Sequence, residues 1–287
     1  MRSQTETDSE FRIMAAPLDL STAVNMARAA YVMYGKRALP IGNKQIAFNL
    51  SEVSEIVTRR VSCRVGYWQS NTRASVVVAF RGSSNGSEWL NNAHPAVWQK
   101  GSPTTVGKLH PGFSNSFEEI WDDVASCINV LVQSHLSELL TAYSGGQCTP
   151  ISFTGHSRGG ALAVLAGLRG LTTFLLPVSV YTFGAPRVGD RDFAQSYADV
   201  FAQADSTHWR FECVGDPVPV FPFALEGTHT GKLVMIDPKS QIVQVVVSEP
   251  HAAIRAAHSV SLKPSRPHKM SNYLRVLGQA VAVVQAS

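Results

Sequence analysis

Cysteine is scarce and scattered. The four thiols, Cys63, Cys127, Cys148 and Cys213, show no C-x-x-C spacing, which argues against a metal site. Cys63, Cys127 and Cys213 fall in predicted elements and read as small buried hydrophobes, so free thiols are expected. Long apolar runs are missing too; none approaches membrane-spanning length. The opening MRSQTETDSE lacks the apolar core of a signal peptide. As written the chain reads as cytoplasmic, or as secreted with its signal already removed. Charge is thin: 16% of residues are charged, the net is +4, and no Lys/Arg run or basic stripe occurs. Nucleic acid is therefore not implied as a partner, and a weak affinity for anionic interfaces is left open.

What is present suits a sizeable core. The 287 residues are 45% hydrophobic, ordinary for a globular protein. Residues 1–14 read as a disordered polar tail and 15–287 as a single domain. Small and apolar residues recur at helical spacing from Asp19 to Tyr34, and Gly35 supplies a stop. Arg60–Gln69 and Ala74–Phe80 are β-rich runs around the turn Ser70-Asn71-Thr72. Val76, Val77 and Val78 in succession predict burial on both faces, as in a mostly parallel sheet. A capping box of Ser116 and Glu119 predicts one long helix, its apolar face running from Phe117 to Leu140 with His135 beside it. Further strands are expected at Val178–Phe183 and Trp209–Val214, a hairpin at Lys232–Val247, and a closing helix through Met270, Leu274, Leu277 and Val281. Strands alternating with helices predict an α/β fold.

The most informative stretch is PISFTGHSRGGALAVLAGLRGL, from Pro150 to Leu171. A short β-branched strand breaks at Gly155-His156-Ser157-Arg158-Gly159, and a helix rich in Gly and Ala follows. Strand, G-x-S-x-G, helix is the order of a nucleophile elbow, in which a serine sits on a strained turn between glycines. A triad on such a fold runs Ser, then Asp or Glu, then His. Two aspartates follow later strands. Asp190 is separated from its strand by six residues and lies in a Pro/Gly turn that reads as Asx-type. Asp216 comes directly off the strand ending at Val214 and is preferred as the acid. The base must follow it: His229, His251, His258 and His268 remain. Pattern alone leaves His258 and His268 nearly even. His156 cannot serve, because at the sharp turn its side chain diverges from that of Ser157. Phe80-Arg81-Gly82-Ser83 ends a strand in a Gly/Ser loop of the kind that aims backbone N–H groups at an oxyanion. Beyond it, Glu88–Lys108 is a Pro- and Gly-punctuated stretch with Trp89 and Trp98, readable as a lid or as a plain surface excursion.

Six blocks then carry a resemblance: FTGHSRGGALAVLAG, VVVAFRGSS, LHPGF, YTFGAPRVGD, GDPVPVFP and PHKMSNYL. Taken in their order along the chain they are similar to segments of the class 3, or fungal-type, triacylglycerol lipase family. The resemblance implies an α/β-hydrolase fold, with a mostly parallel central sheet flanked by helices and a lid segment over the site. Residue by residue, it implies Ser157 as nucleophile, Asp216 as acid and His268 as base. Ser83 falls at the oxyanion position and His110 at a position lining the site. Arg158 stands where the family usually has an apolar residue; its backbone N–H can still serve the oxyanion, while its charge could alter substrate choice. The lid stretch, with Asn91, Asn92 and His94, is less apolar than strong interfacial activation would need. The expected function is hydrolysis of a carboxylic ester, foremost an acylglycerol, through an acyl-enzyme, with no cofactor and no metal. Phospholipid or a feruloyl-type aryl ester is the alternative substrate, and an inactive hydrolase-fold binding module is the alternative of a different class. The expected partner is an ester or lipid substrate, met at a lipid–water interface in the lipase case.

Overall fold

Three consecutive valines show how the sheet is built. Val76, Val77 and Val78 are all fully buried, so their strand is covered on both faces. In the computed structural model the described residues are 18–35, 49–83, 98–100, 106–222, 227–240, 242–246 and 266–286. The expected tail and most of the expected lid lie outside them.

Helix α1 (Leu20–Val32) is capped by Asp19, whose carboxylate accepts from Ser21 N at 2.9 Å. Strands β1 (Ser51–Val57), β2 (Ser62–Ser70) and β3 (Arg73–Phe80) form an antiparallel meander. β1 escaped the sequence reading because SEVSEIV is polar and almost wholly exposed. It is an edge strand, paired on one side only among the described residues, with little burial to impose alternation. Short strands β4 (Gln99–Lys100) and β5 (Lys108–Leu109) precede helices α2 (Pro111–Glu118), α3 (Trp121–Ser134) and α4 (Leu136–Ser144). Then follow β6 (Ile151–His156), α5 (Arg158–Phe174), β7 (Val178–Phe183), β8 (Gly189–Asp190), α6 (Arg191–Gln203) and β9 (Thr207–Cys213). β10 (Gly227–Thr228), β11 (Lys232–Asp237), β12 (Ile242–Val245) and α7 (Met270–Ala286) close the chain.

The main sheet orders its strands β1-β2-β3-β6-β7-β9-β11-β12. Its centre, from β3 to β11, is parallel, and both edges are antiparallel. The period of two along each strand sorts side chains into two cores. Val76, Val78 and Phe80 face the side covered by α2, α3 and α5, while Val77 and Ala79 face α1 and α7. A small sheet, β10-β8-β5-β4, flanks the main one.

The expected long helix from Ser116 is three helices. His110, with Pro111 after it, starts α2: its Nδ1 accepts from Gly112 N at 3.1 Å. Ser116 is therefore inside a helix, its hydroxyl bonded back to Gly112 O at 2.7 Å instead of capping. The second break falls at His135 (φ −124°, ψ 22°). Its ring stacks on Tyr67 at 3.8 Å and its Nε2 meets Glu52 at 2.6 Å, contacts to the β1–β2 edge that local periodicity cannot announce.

Candidate active site

β6 enters the elbow with every residue buried, and Ser157 then takes φ 59°, ψ −130°. That region is costly for a residue with a Cβ, so the surroundings must hold it there. They do: Ser157 N donates to Phe183 O at 2.9 Å, and α5 begins at the next residue. The flanking glycines are needed for close approach. A Cβ on Gly155 would strike the carbonyl of Gly159, and one on Gly159 would strike that of Phe80.

Asp216 hangs from the end of β9 after Gly215, which turns the chain at φ +83°. Its carboxylate is fully buried. Oδ1 accepts from Val218 N at 2.9 Å, and Oδ2 accepts from the Tyr273 hydroxyl at 2.6 Å. His268 sits on a 3₁₀ turn, Arg266–His268, just ahead of α7. Its Nδ1 lies 2.9 and 3.0 Å from the two Asp216 oxygens, and its Nε2 lies 3.0 Å from Ser157 Oγ. A carboxylate can only accept, so Nδ1 carries the proton and Nε2 is free to accept from the serine hydroxyl. Gly184, at φ +55°, makes room for this assembly: a Cβ there would stand 2.7 Å from Asp216 Oδ2 and 3.2 Å from His268 Nδ1.

The other candidates lie elsewhere. Asp190 caps α6, accepting from Phe193 N at 2.9 Å, so it is a helix cap and not an Asx turn. His229 bonds to Pro219 O at 2.6 Å. His251 and His258 fall outside the described residues. Ser83, half-buried, follows Gly82 at the end of β3, and a Cβ on Gly82 would meet the His156 carbonyl at 2.6 Å. The Gly82-Ser83 loop and the elbow are thus in contact.

Three residues around the site have no role in the sequence reading. Tyr273 is one, holding Asp216 and also accepting from Cys213 N at 3.0 Å. Tyr34 and His156 are the others. His156 Nε2 lies 2.7 Å from the backbone oxygen of His268 and Nδ1 lies 2.8 Å from the Tyr34 hydroxyl. The carbonyl must be met by N–H, so Nε2 donates and Nδ1 accepts from the phenol. Gly82 also hydrogen-bonds the phenol oxygen through its backbone. One chain of polar contacts therefore ties the Gly82-Ser83 loop, the elbow and the segment bearing His268. Their spacing (Gly82, His156, His268) hides this from any local pattern.

The Arg158 guanidinium donates to Arg60 O at 2.8 Å and to Ser116 Oγ at 2.9 Å. The charge that the sequence places beside Ser157 is spent on bracing the helix start against the β1–β2 turn and α2.

Several histidines are buried in the neutral form. Burial pushes His156 and His208 well below the usual histidine range, with the neighbouring His268 adding to the effect on the first and the Arg210 charge to that on the second. Burial, then the Arg210 charge, lowers His229 to about 3. His208, Arg210 and Glu212 share the polar face of β9, where Arg210 and Glu212 form a buried ion pair. In the unfolded chain these imidazoles titrate near 6.5, so between that value and about 3 the unfolded state binds more protons. Stability is present above 6.5 and falls as pH drops through this window. Each histidine adds a slope of up to about 1.4 kcal/mol per pH unit. Urea unfolding at a series of pH values should show the midpoint falling steeply below pH about 6. A flat midpoint down to pH about 4 would mean that these histidines are already charged in the folded state.

Comparison with known proteins points one way. Residues 77–226, just over half of the chain, match the family Lipase (class 3). A secreted mono- and diacylglycerol lipase 1 from Fusarium solani is 32% identical over 58% of this chain and 45% of its own length. The chloroplastic phospholipase A1-Ialpha2 of Arabidopsis thaliana is 29% identical over 63% of this chain and 41% of its own. The chain spans less than half the length of these curated relatives. Among solved structures, a triacylglycerol lipase from Penicillium expansum superposes with a TM-score of 0.64 at 17% identity, covering 84% of this chain and 90% of that one. This likeness shows the α/β-hydrolase fold. With that fold, and with the family match running from β3 through the elbow to beyond Asp216, the chain belongs to the class 3 lipase family.

Proposed function

We propose that this protein hydrolyses carboxylic esters of lipids through Ser157, His268 and Asp216. The observation that carries the reading is the unbroken line of hydrogen bonds from Ser157 Oγ through the His268 ring to Asp216, each near 3 Å. In the proposed reaction His268 Nε2 takes the Ser157 proton as Oγ attacks the ester carbonyl. Asp216 holds the tautomer and stabilises the imidazolium; Tyr273 and the Val218 amide hold Asp216 in turn. The backbone N–H groups of Ser83 and Arg158 meet the oxyanion, each such donor contributing about 3 kcal/mol of barrier lowering. The alcohol leaves with the proton from His268. Water, deprotonated by the same ring, then releases the acid from the acyl-enzyme.

An acylglycerol is the substrate class we favour, and the similarity to a mono- and diacylglycerol lipase supports it. Phospholipid is the second reading, supported by similarity to plant phospholipases A1. Turnover of mono- and diacylglycerol, phosphatidylcholine, a feruloyl ester and p-nitrophenyl esters of rising chain length should be measured together. We expect an acylglycerol or the phospholipid to exceed the feruloyl ester by tenfold or more, about 1.4 kcal/mol of transition-state preference. A fluorophosphonate should label the protein at Ser157. A folded protein that neither turns over any ester nor takes the label would be a binding module instead.

A further inference from the structure

Around the oxyanion side of the site the fold gathers arginines that are far apart in the chain. The β1–β2 turn carries Arg59 and Arg60, both exposed. Arg81, also exposed, directly follows β3 and donates its backbone N–H to Ser62 O at 2.9 Å, so it sits beside that turn. Arg158, next to the nucleophile, reaches the Arg60 carbonyl at 2.8 Å. The turn is therefore one arginine's length from the catalytic serine of the proposed reaction.

Among the described residues, acid engages only part of this cluster. Glu119 approaches Arg60 at 3.8 Å, and its carboxylate also takes hydrogen bonds from Thr58 and from the backbone of the turn. Glu55 is engaged by Arg64 at 3.2 Å. Arg59 and Arg81 form no ion pair with any described residue. The turn is also preformed: Thr58 Oγ1 accepts from Val61 N at 3.1 Å and from Arg60 N at 3.3 Å. Beside the arginines stands Val57, 68% exposed at the end of β1. Solvated single arginines are common on protein surfaces and mean nothing alone. A preformed turn that presents Arg59 and a bare valine, with Arg81 beside it and neither arginine ion-paired to a described residue, is different, because both kinds of group gain at a charged lipid surface.

We infer that the Val57–Arg60 turn, with Arg81, is a docking surface for an anionic lipid interface. It places phosphate-bearing headgroups against the guanidinium groups and brings the edge of the site to the lipid. This inference builds on the lipid-ester reading above, which it extends to the kind of surface the enzyme works on.

The test uses diether lipids, which have no ester to cleave, so docking is measured without turnover. Wild-type protein is sedimented with vesicles of diether phosphatidylcholine, with or without about one third diether phosphatidylglycerol. The anionic vesicles should bind at least about tenfold more tightly, and added salt should weaken the difference. Each arginine at an anionic leaflet contributes about fivefold, so Arg59→Gln/Arg60→Gln/Arg81→Gln together should cost about 100-fold. The matching triple Lys variant should keep most of the affinity, which separates lost charge from lost fold. Lys232→Gln, at the other end of the sheet, should stay within about twofold. Equal binding to both vesicles, a triple Gln variant that binds like wild type, or an equal loss with Lys232→Gln would overturn the inference. Failure of the hydrolase reading looks different: it would show as vesicle docking by a protein that no fluorophosphonate labels.

Discussion

Ser157→Ala is expected to remove ester hydrolysis, lowering kcat by about 10⁵-fold or more while the protein stays folded. The loss follows from the proposed role: without Oγ no acyl-enzyme forms, and only binding and the oxyanion donors still act on the barrier. The fold should survive for reasons visible at the elbow. Ser157 has φ 59°, a strained value that alanine, also bearing a Cβ, tolerates no worse than serine. The backbone bond from residue 157 to Phe183 O is untouched. The lost hydrogen bond is the one to His268, and that imidazole keeps its two contacts to Asp216. Purified variant should therefore melt within a few degrees of wild type, take no fluorophosphonate and show no burst. Turnover above about 1% of wild type in a carefully purified sample would sink the assignment of the nucleophile.

His268→Ala should cost nearly as much, on the order of 10⁴-fold or more in kcat, with fluorophosphonate labelling slowed in parallel. Both fall because the serine loses the acceptor for its proton. Removing Ser157 and His268 together should cost little more than either alone, since the two act as one unit. The contrast with His258 makes the experiment decisive. On pattern alone His258 and His268 are close rivals, and His258 lies outside the described residues, so only the variants compare them directly. His258→Ala should stay within a few fold of wild type. A severe loss in that variant, with His268→Ala active, would overturn the proposed triad.

Some of this was legible in the residues themselves. Elements with strong local signals stand where their patterns put them: α1 with its small residues at helical spacing, β3 with its three valines, β6 and α5 around the elbow, and the hairpin turning at Asp237-Pro238-Lys239. Buried strands and helices of regular spacing carry their own address, because side-chain period acts over a few residues. The break of the predicted long helix into α2, α3 and α4 was not legible. It depends on His110, Ser116 and His135 meeting partners whose positions only the folded chain sets.

By itself, then, the sequence determined the α/β layering, the elbow, the preference for Asp216 over Asp190 and the resemblance that named His268. Each of these rests on short-range order. Only the tertiary structure decided what surrounds them. It brought His268 within 3.0 Å of Ser157 across a separation of 111 residues. It enlisted Tyr34, His156 and Tyr273 as the scaffold of the site, tied the Arg158 guanidinium to Arg60 and Ser116, and collected Arg59, Arg60 and Arg81 on one rim. The physical reason is the same in every case. A hydrogen bond or a shared charge field depends on distance in space, and a parallel sheet sets that distance by laying the ends of non-adjacent strands side by side.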